Sequence, residues 1–197
     1  MTRVAALVLA AGQSRRMGAA NKLLVEIEGV AMVARVAAAA LESRAETVLV
    51  VTGHQAEAVG DALEGMAITL VHNPGHAAGL GTSLAAGLAA LPDHIEAAVI
   101  CLGDMPWIGA AVIDSLIDGF QGQGIYLPTH QGRRGNPVLC ARRYFAEMQS
   151  IEGDKGARGL IGKYEKAVHE VPWHDDSVLR DVDPLKDAGG ASRPTDD

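Results

Sequence analysis

The run VAALVLAAGQSRRMGAANKLL, residues Val4 to Leu24, decides the fold, because a buried strand passes directly into a loop built to hold phosphates. Val4 to Leu9 is short, apolar and free of alternation, as expected at the centre of a parallel sheet whose two faces are both covered. Ala10, Ala11 and Gly12 remove side-chain bulk where the strand ends, so backbone N–H groups can approach phosphate oxygens closely. Ser14, Arg15, Arg16 and Lys22 follow within ten residues of Gly12. Guanidiniums offer planar forks to phosphate and an ammonium offers a point charge. The spacing fits neither GxGxxG nor the Walker pattern GxxxxGK followed by Ser or Thr, so the loop is of another kind. A nucleotide is the expected ligand, with Leu9, Ala10, Ala11, Gly12, Ser14, Arg15, Arg16 and Lys22 around it.

The composition supports a full core and argues against polyanionic partners. A chain of 197 residues, 48% hydrophobic, suffices for one domain, expected over residues 1–187, with a polar, small-residue tail from Ala188 to Asp197 expected to be disordered. A net charge of −7 and 4% aromatics leave neither the basic face nor the stacking surface that nucleic acid requires. The sequence has no long apolar stretch and no signal-peptide pattern, so a cytoplasmic monomer that binds neither membrane nor nucleic acid is expected. Cys101 and Cys140 sit in apolar, strand-like runs and read as core residues, too few for a disulfide framework.

Strand-like runs at Val4–Leu9, Thr47–Thr52, Ile68–His72, Ala97–Leu102 and Ile125–Pro128 alternate with helical patterns near Met32–Leu41, Ala56–Leu63, Thr82–Leu91 and Ala111–Phe120. This alternation predicts a three-layer α/β/α fold, Rossmann-like, with a mostly parallel central sheet. Ligands of such sheets bind outside the carboxyl ends of the strands. Thr52 and Gly53 follow the second run, Asn73 the third, and Gly103 with Asp104 the fourth, so all belong to the expected nucleotide site. Beyond about Gly132 the alternation weakens, and the second half reads as an acceptor-binding extension of the same core.

Asp104, in GDMPWI, can reach a divalent cation beside a triphosphate, since Mg²⁺ is normally held by one or two carboxylates plus water and phosphate oxygens. In the DVD run, strand alternation would place Asp181 and Asp183 on one face and Val182 on the other, with Asp183 ranked slightly higher as the second metal ligand. His72 and His76 have His-x-x-x-His spacing without a third nearby ligand, a weak basis for a metal site. No spacing suggests a covalent nucleophile with its base.

LAAGQSRRMG followed by NKLL resembles the signature of the MobA-like nucleotidyltransferases, LAxGxSxRMG and then a lysine. HNPGHAAGLGTSLAAGL resembles the HNPxxxxGxxxSLxxG segment of the cytidylyl-transferring branch, which adds Gly79 and Ser83 to the nucleotide site. GRRGNPVLC, with Arg133, Arg134, Gly135, Asn136 and Pro137, and GDKGARGLI, with Asp154 and Arg158, resemble that branch's acceptor segments. DVDPLKD resembles a C-terminal metal segment of the family but lacks its threonine before proline.

Over nearly the whole chain the resemblance is to molybdenum cofactor cytidylyltransferases of the MocA type, and Ala11 tilts the base choice, because guanylyl-transferring relatives read LAGG where this chain reads LAAG. The resemblance implies transfer of CMP from CTP to the terminal phosphate of molybdenum-carrying molybdopterin. It casts Arg16, Lys22 and Asp104 as the catalytic residues and Asp104 with Asp183 as ligands of Mg²⁺ or Mn²⁺. A recipient molybdoenzyme or maturation factor is the implied partner. The rival readings are guanylyl transfer, nucleotidyl transfer to another phosphorylated acceptor, and a non-catalytic nucleotide-binding partner of a molybdoenzyme.

Overall fold

The central strands form as their composition dictates. In the structure, a computed structural model that describes residues 2–13, 21–151, 153 and 158–182, β1 (Val4–Ala10) is buried at every position. It lies between β4 (Thr47–Thr52) and β6 (Ala97–Leu102), parallel to both, with Leu7 opposite Leu49 and Ile100. β5 (Thr69–His72) adds parallel to β4 at one edge.

On the other side of β6 comes β9 (Val138–Ala141), antiparallel to it and to β7 (Ile125–His130), which carries β10 (Val168–Pro172) parallel at the far edge. The sheet order is thus β10-β7-β9-β6-β1-β4-β5. A two-residue β8 (Arg133–Arg134) pairs with β7, and a hairpin of β2 (Glu26–Ile27) and β3 (Val30–Ala31) stands apart from the sheet. The expected mostly parallel sheet is present, with β9 the one strand of the main order that runs against both neighbours.

Helices α1 (Met32–Glu42) and α4 (Ala110–Gly119) pack together on one face, and α3 (Leu80–Ala89) packs with the short α5 (Phe145–Met148) on the other, giving three layers. A short α2 (Ala56–Asp61) follows β4. α1 buries Met32, Val33, Val36, Ala37 and Ala40, an apolar stripe at helical spacing. Alanines along that stripe and Gly87 on α3 let helix approach sheet closely; a Cβ at Gly87 would strike the Leu7 side chain. Cys101 and Cys140 are fully buried in β6 and β9, and burial pushes both thiols up to about 12. Both are core residues, as expected.

The connection order places a topological switch at β1. The chain leaves it toward β4 and β5 on one side and returns to β6 on the other, which puts the ligand crevice of such a sheet outside the carboxyl ends of β1 and β6.

Two features depart from the sequence reading. β10 carries almost no apolar signal, because an edge strand with His169, Glu170 and Pro172 exposed needs none. Residues 181–182 form no strand; Val182 is nevertheless buried and Asp181 exposed. The expected tail at 188–197 lies outside the described residues. No helix among the described residues is long and apolar enough to cross a membrane.

Candidate active site

Strand geometry brings Lys22 and Asp104 together. The Gly103 N–H donates to the Leu9 carbonyl at 3.0 Å, and a Cβ at Gly103 would stand only 3.0 Å from that oxygen. The glycine therefore lets the end of β6 close on the end of β1, which sets Asp104 beside the mouth of the loop. Lys22 arrives there from the loop's far end. Asn21, buried, accepts from the Leu23 N–H at 3.1 Å and caps a single 3₁₀ turn over Lys22–Leu24, while Leu23 anchors that turn in the core. The outcome is an ion pair, Lys22 Nζ to Asp104 Oδ2 at 2.6 Å, with the two side chains 26% and 23% exposed. Sequence reading gave these residues separate tasks, phosphate and metal; the fold places them in direct contact.

The mouth of the crevice contains two adjoining cavities. One, of about 270 Å³, is lined by Ala11, Gly12, Gln13, His76, Leu80 and Ser83. The other, of about 180 Å³, shares Ala11, Gly12 and Leu80 and adds Leu9, Lys22 and Asp104. Gly12 faces open space, with nothing within 4 Å of where a Cβ would be. Gly53 is the opposite case, since a Cβ there would meet His76 Cβ at 2.5 Å and Ala11 Cβ at 2.8 Å. Its backbone is the floor on which the first and third loops rest, and the His54 N–H adds a bond to the Ala11 carbonyl at 3.3 Å. Ala10 and Thr52 are buried and end their strands; the Thr52 carbonyl accepts from the Asn73 N–H at 2.8 Å.

Asn73 is bonded within the protein. Its amide nitrogen donates to Thr82 Oγ1 and Ser83 Oγ, both at 3.0 Å, and its carbonyl oxygen accepts from the Gly75 N–H at 2.9 Å, so it fixes the entry to α3. Gly79, with φ of 113°, is the N-cap of α3, whose first turn carries Ser83 to the cavity wall.

Gln13, His76 and Leu80 are site residues that the sequence reading did not place at the nucleotide. His76 Nδ1 is buried without a hydrogen-bond partner among the described residues, and the ring stands edge-on to His54 at 6.2 Å. Only the contact with Gly53, made across two loops, brings that ring to the cavity, and spacing alone holds no such signal.

The proposed acceptor segment reaches the same edge because β9 is antiparallel. Val138 lies opposite Ile100, so the residues preceding β9 lie alongside the end of β6 and Asp104. Gly135 packs against the Val178 carbonyl, where a Cβ could not fit, and the Asn136 N–H donates to that same oxygen at 2.9 Å. Asn136 and the buried Pro137 are joined by a cis peptide bond. Further along, the Val182 N–H donates to the Asp104 carbonyl at 3.0 Å, tying residues 178–182 to both segments.

Arg133 and Arg134 diverge. Arg134 grips Glu165 with two bonds of 2.6 and 2.9 Å and reaches Glu170 at 2.8 Å. These bonds raise its guanidinium further above the ordinary range and hold Glu165 below the usual carboxylate range. Arg134 thus ties β8 to Glu170 of β10 and to Glu165 just before it; Arg133 is exposed. Arg158 opens α6 (Arg158–Lys163). Ser14, Arg15, Arg16, Asp154 and Asp183, and the Arg158 side chain, lie outside the described residues.

A metal fits this donor set. Asp104 supplies a hard carboxylate at the crevice, and Val182, bonded to its backbone, is followed directly by Asp183. Among the described residues no three His, Cys, Asp or Glu side chains cluster, which suits an ion completed by phosphate and water rather than a closed protein cage.

Comparison with known proteins agrees with this geometry. A full-length relative, nicotine blue oxidoreductase of Paenarthrobacter nicotinovorans, is 28% identical over 193 residues, 93% of this chain and 93% of that protein. The crystal structure of a homologue of Mycobacterium tuberculosis Rv0371c from Mycobacterium sp. strain JC1 superposes with a TM-score of 0.84 at 30% identity, covering 95% of this chain and 93% of the other. Rv0371c itself, from M. tuberculosis H37Rv, solved in complex with manganese, gives 0.76 at 25% identity over 87% and 89% of the two chains. The MobA-like NTP transferase domain matches residues 6–168, and the chain belongs to that family of nucleotidyltransferases.

Proposed function

We propose that the protein transfers CMP from CTP to the terminal phosphate of molybdenum-carrying molybdopterin, giving the cytosine dinucleotide and pyrophosphate. The observation that carries the reading is the Lys22–Asp104 pair set at the β1/β6 crevice, beside cavities lined by the glycine loop. An acceptor phosphate oxygen attacks the α-phosphorus, the bond to the β-phosphate oxygen breaks, and pyrophosphate leaves. A phosphate is an adequate nucleophile, so the chain need supply no general base. Its task is to bring two polyanions together and hold them in line.

Lys22 and Arg16 neutralise the β- and γ-phosphates and the charge that grows on the leaving pyrophosphate. Ala11 and Gly12 present backbone to the nucleotide, and the N-terminus of α3 favours its polar atoms. Ala11 supports cytosine, because its buried methyl occupies space that a glycine would leave open above Gly53. Arg133, beside the Gly135–Asn136 turn, receives the pterin phosphate. Asp104 with Asp183 would hold Mg²⁺ or Mn²⁺, which when bound withdraws charge from the α-phosphoryl oxygens; the manganese in the Rv0371c structure supports a divalent ion. The product dinucleotide passes to a recipient molybdoenzyme or its maturation factor.

A second reading comes from the Paenarthrobacter relative, which is named an oxidoreductase. On that reading the same cavities hold an electron-carrying dinucleotide. The Lys22–Asp104 arrangement favours transfer, since passing a hydride requires no metal carboxylate.

The test is pyrophosphate release from CTP, GTP, ATP and UTP in parallel, with Mg²⁺ and molybdenum-loaded molybdopterin, plus an arm with a reduced nicotinamide dinucleotide and a two-electron dye as its acceptor. Release with CTP alone, coupled to cytosine dinucleotide, is expected. Release with GTP moves the chain to guanylyl transfer, nicotinamide oxidation moves it to redox chemistry, and silence in every arm overturns the reading.

A further inference from the structure

We infer that Lys22 is the resident counter-cation of Asp104 and is exchanged for the divalent metal only when a triphosphate arrives, so that metal and nucleotide load together. The inference rests on the metal assignment to Asp104 made above.

A carboxylate three-quarters buried at a strand end is costly without a positive partner. Lys22 Nζ supplies that partner at 2.6 Å from Oδ2, at the short end of charge-assisted bonds. A Mg²⁺ ion lies about 2.0–2.1 Å from its carboxylate oxygen, and an ammonium in contact with the same carboxylate would repel it. Metal entering alone, even at Oδ1, meets the charge of that ammonium unless Lys22 moves away from the carboxylate. Triphosphate entering alone must draw Lys22 away and leave Asp104 bare against a polyanion. When both enter, the ammonium moves to phosphate oxygens and the metal takes its place, and every charge has a partner. The 3₁₀ turn capped by Asn21 and anchored by Leu23 fixes the backbone of Lys22, so the exchange needs only side-chain rotation. Binding of the two ligands is then coupled, and by linkage the coupling is reciprocal.

The test is Mn²⁺ binding to the nucleotide-free protein, read from the electron paramagnetic resonance of unbound Mn²⁺, for wild type, Lys22→Met, Lys22→Arg and Asp104→Asn. Removal of the competing cation in Lys22→Met should tighten Mn²⁺ by about fivefold to tenfold. Lys22→Arg keeps a cation and should stay close to wild type, whereas Asp104→Asn should lose measurable binding. In calorimetry, the ratio of CTP affinities with and without Mn²⁺ should fall in Lys22→Met by a similar factor. Mn²⁺ affinity unchanged or weakened in Lys22→Met, with Asp104→Asn still losing the metal, overturns the exchange alone. Undiminished binding in Asp104→Asn overturns the metal assignment and the exchange with it. Circular dichroism of each variant separates these outcomes from unfolding.

Discussion

The two sides of the crevice are built by different physics. At the β1/β6 side, a Cβ at Gly53 would clash with His76 and Ala11 and one at Gly103 would press on the Leu9 carbonyl, and the part-buried Lys22–Asp104 ion pair stands on buried scaffolding from Leu9, Leu23 and Asn21. At the β8/β9 side, a backbone tie to Val178 holds the basic turn, and Arg134 adds ion pairs in solvent with Glu165 and Glu170. Core packing is sensitive to a single methyl group, whereas exposed ion pairs contribute little to stability. Gly53 on one side and Gly135 on the other should therefore reject a methyl group, whereas the exposed arginines Arg133 and Arg134 should accept change without loss of stability.

The largest effect that would sharpen this contrast comes from Asp104→Ala and Lys22→Ala, each expected to lower turnover by about 10²–10³, with the melting temperature falling further in Lys22→Ala, which leaves the Asp104 carboxylate without that counter-charge. Pyrophosphate release and a thermal melt measure the two; near-normal turnover would remove the residue from the mechanism. Next comes Gly53→Ala, whose methyl would press on His76 and Ala11. It should cost about 1–3 kcal/mol in urea unfolding and also weaken CTP binding. Asn73→Ala, which leaves Ser83, Thr82 and the Gly75 N–H without their partner, should cost about 1–3 kcal/mol and raise the KM for CTP while sparing that for the acceptor. A selective rise in acceptor KM instead would break the division between the two sides.

On the acceptor side, Arg133→Ala should raise the acceptor KM by about tenfold, the scale of one charged hydrogen bond, with CTP unaffected. Arg134→Ala should leave both constants and the melting temperature nearly unchanged, because its guanidinium is spent on exposed glutamates. The smallest effect is a null one. Burial holds Cys101 and Cys140 near 12, so at pH 8 both are neutral thiols and should not react with Ellman's reagent until the protein is unfolded. Rapid labelling of the folded protein would show that β6 and β9 open locally.

How far the site was legible depends on how each residue is specified. Gly12, Gly103 and Asp104 stand next to strand ends in the sequence and Lys22 belongs to the motif that follows β1, and a parallel sheet sends strand ends to one edge, so their convergence could be anticipated. His76 gave no such signal, since its place at the cavity depends on Gly53 having no Cβ. Asn73 and Arg134 were identified as polar groups at the right segments, but partners decide roles. The partners of Asn73 are hydroxyls at the start of α3, and those of Arg134 are glutamates some thirty residues further along the chain.

The sequence by itself determined the layered fold, the strands of its centre and the loop at the end of β1, because hydrophobic periodicity and the glycine–basic motif are local properties of the chain. Tertiary structure alone decided the antiparallel insertion of β9 that brings Asn136 alongside the end of β6, the exposed edge strand β10, and the contact between Lys22 and Asp104, 82 positions apart in the chain. Strand direction and ion pairing are set by which surfaces meet when the core closes, and no local pattern encodes that.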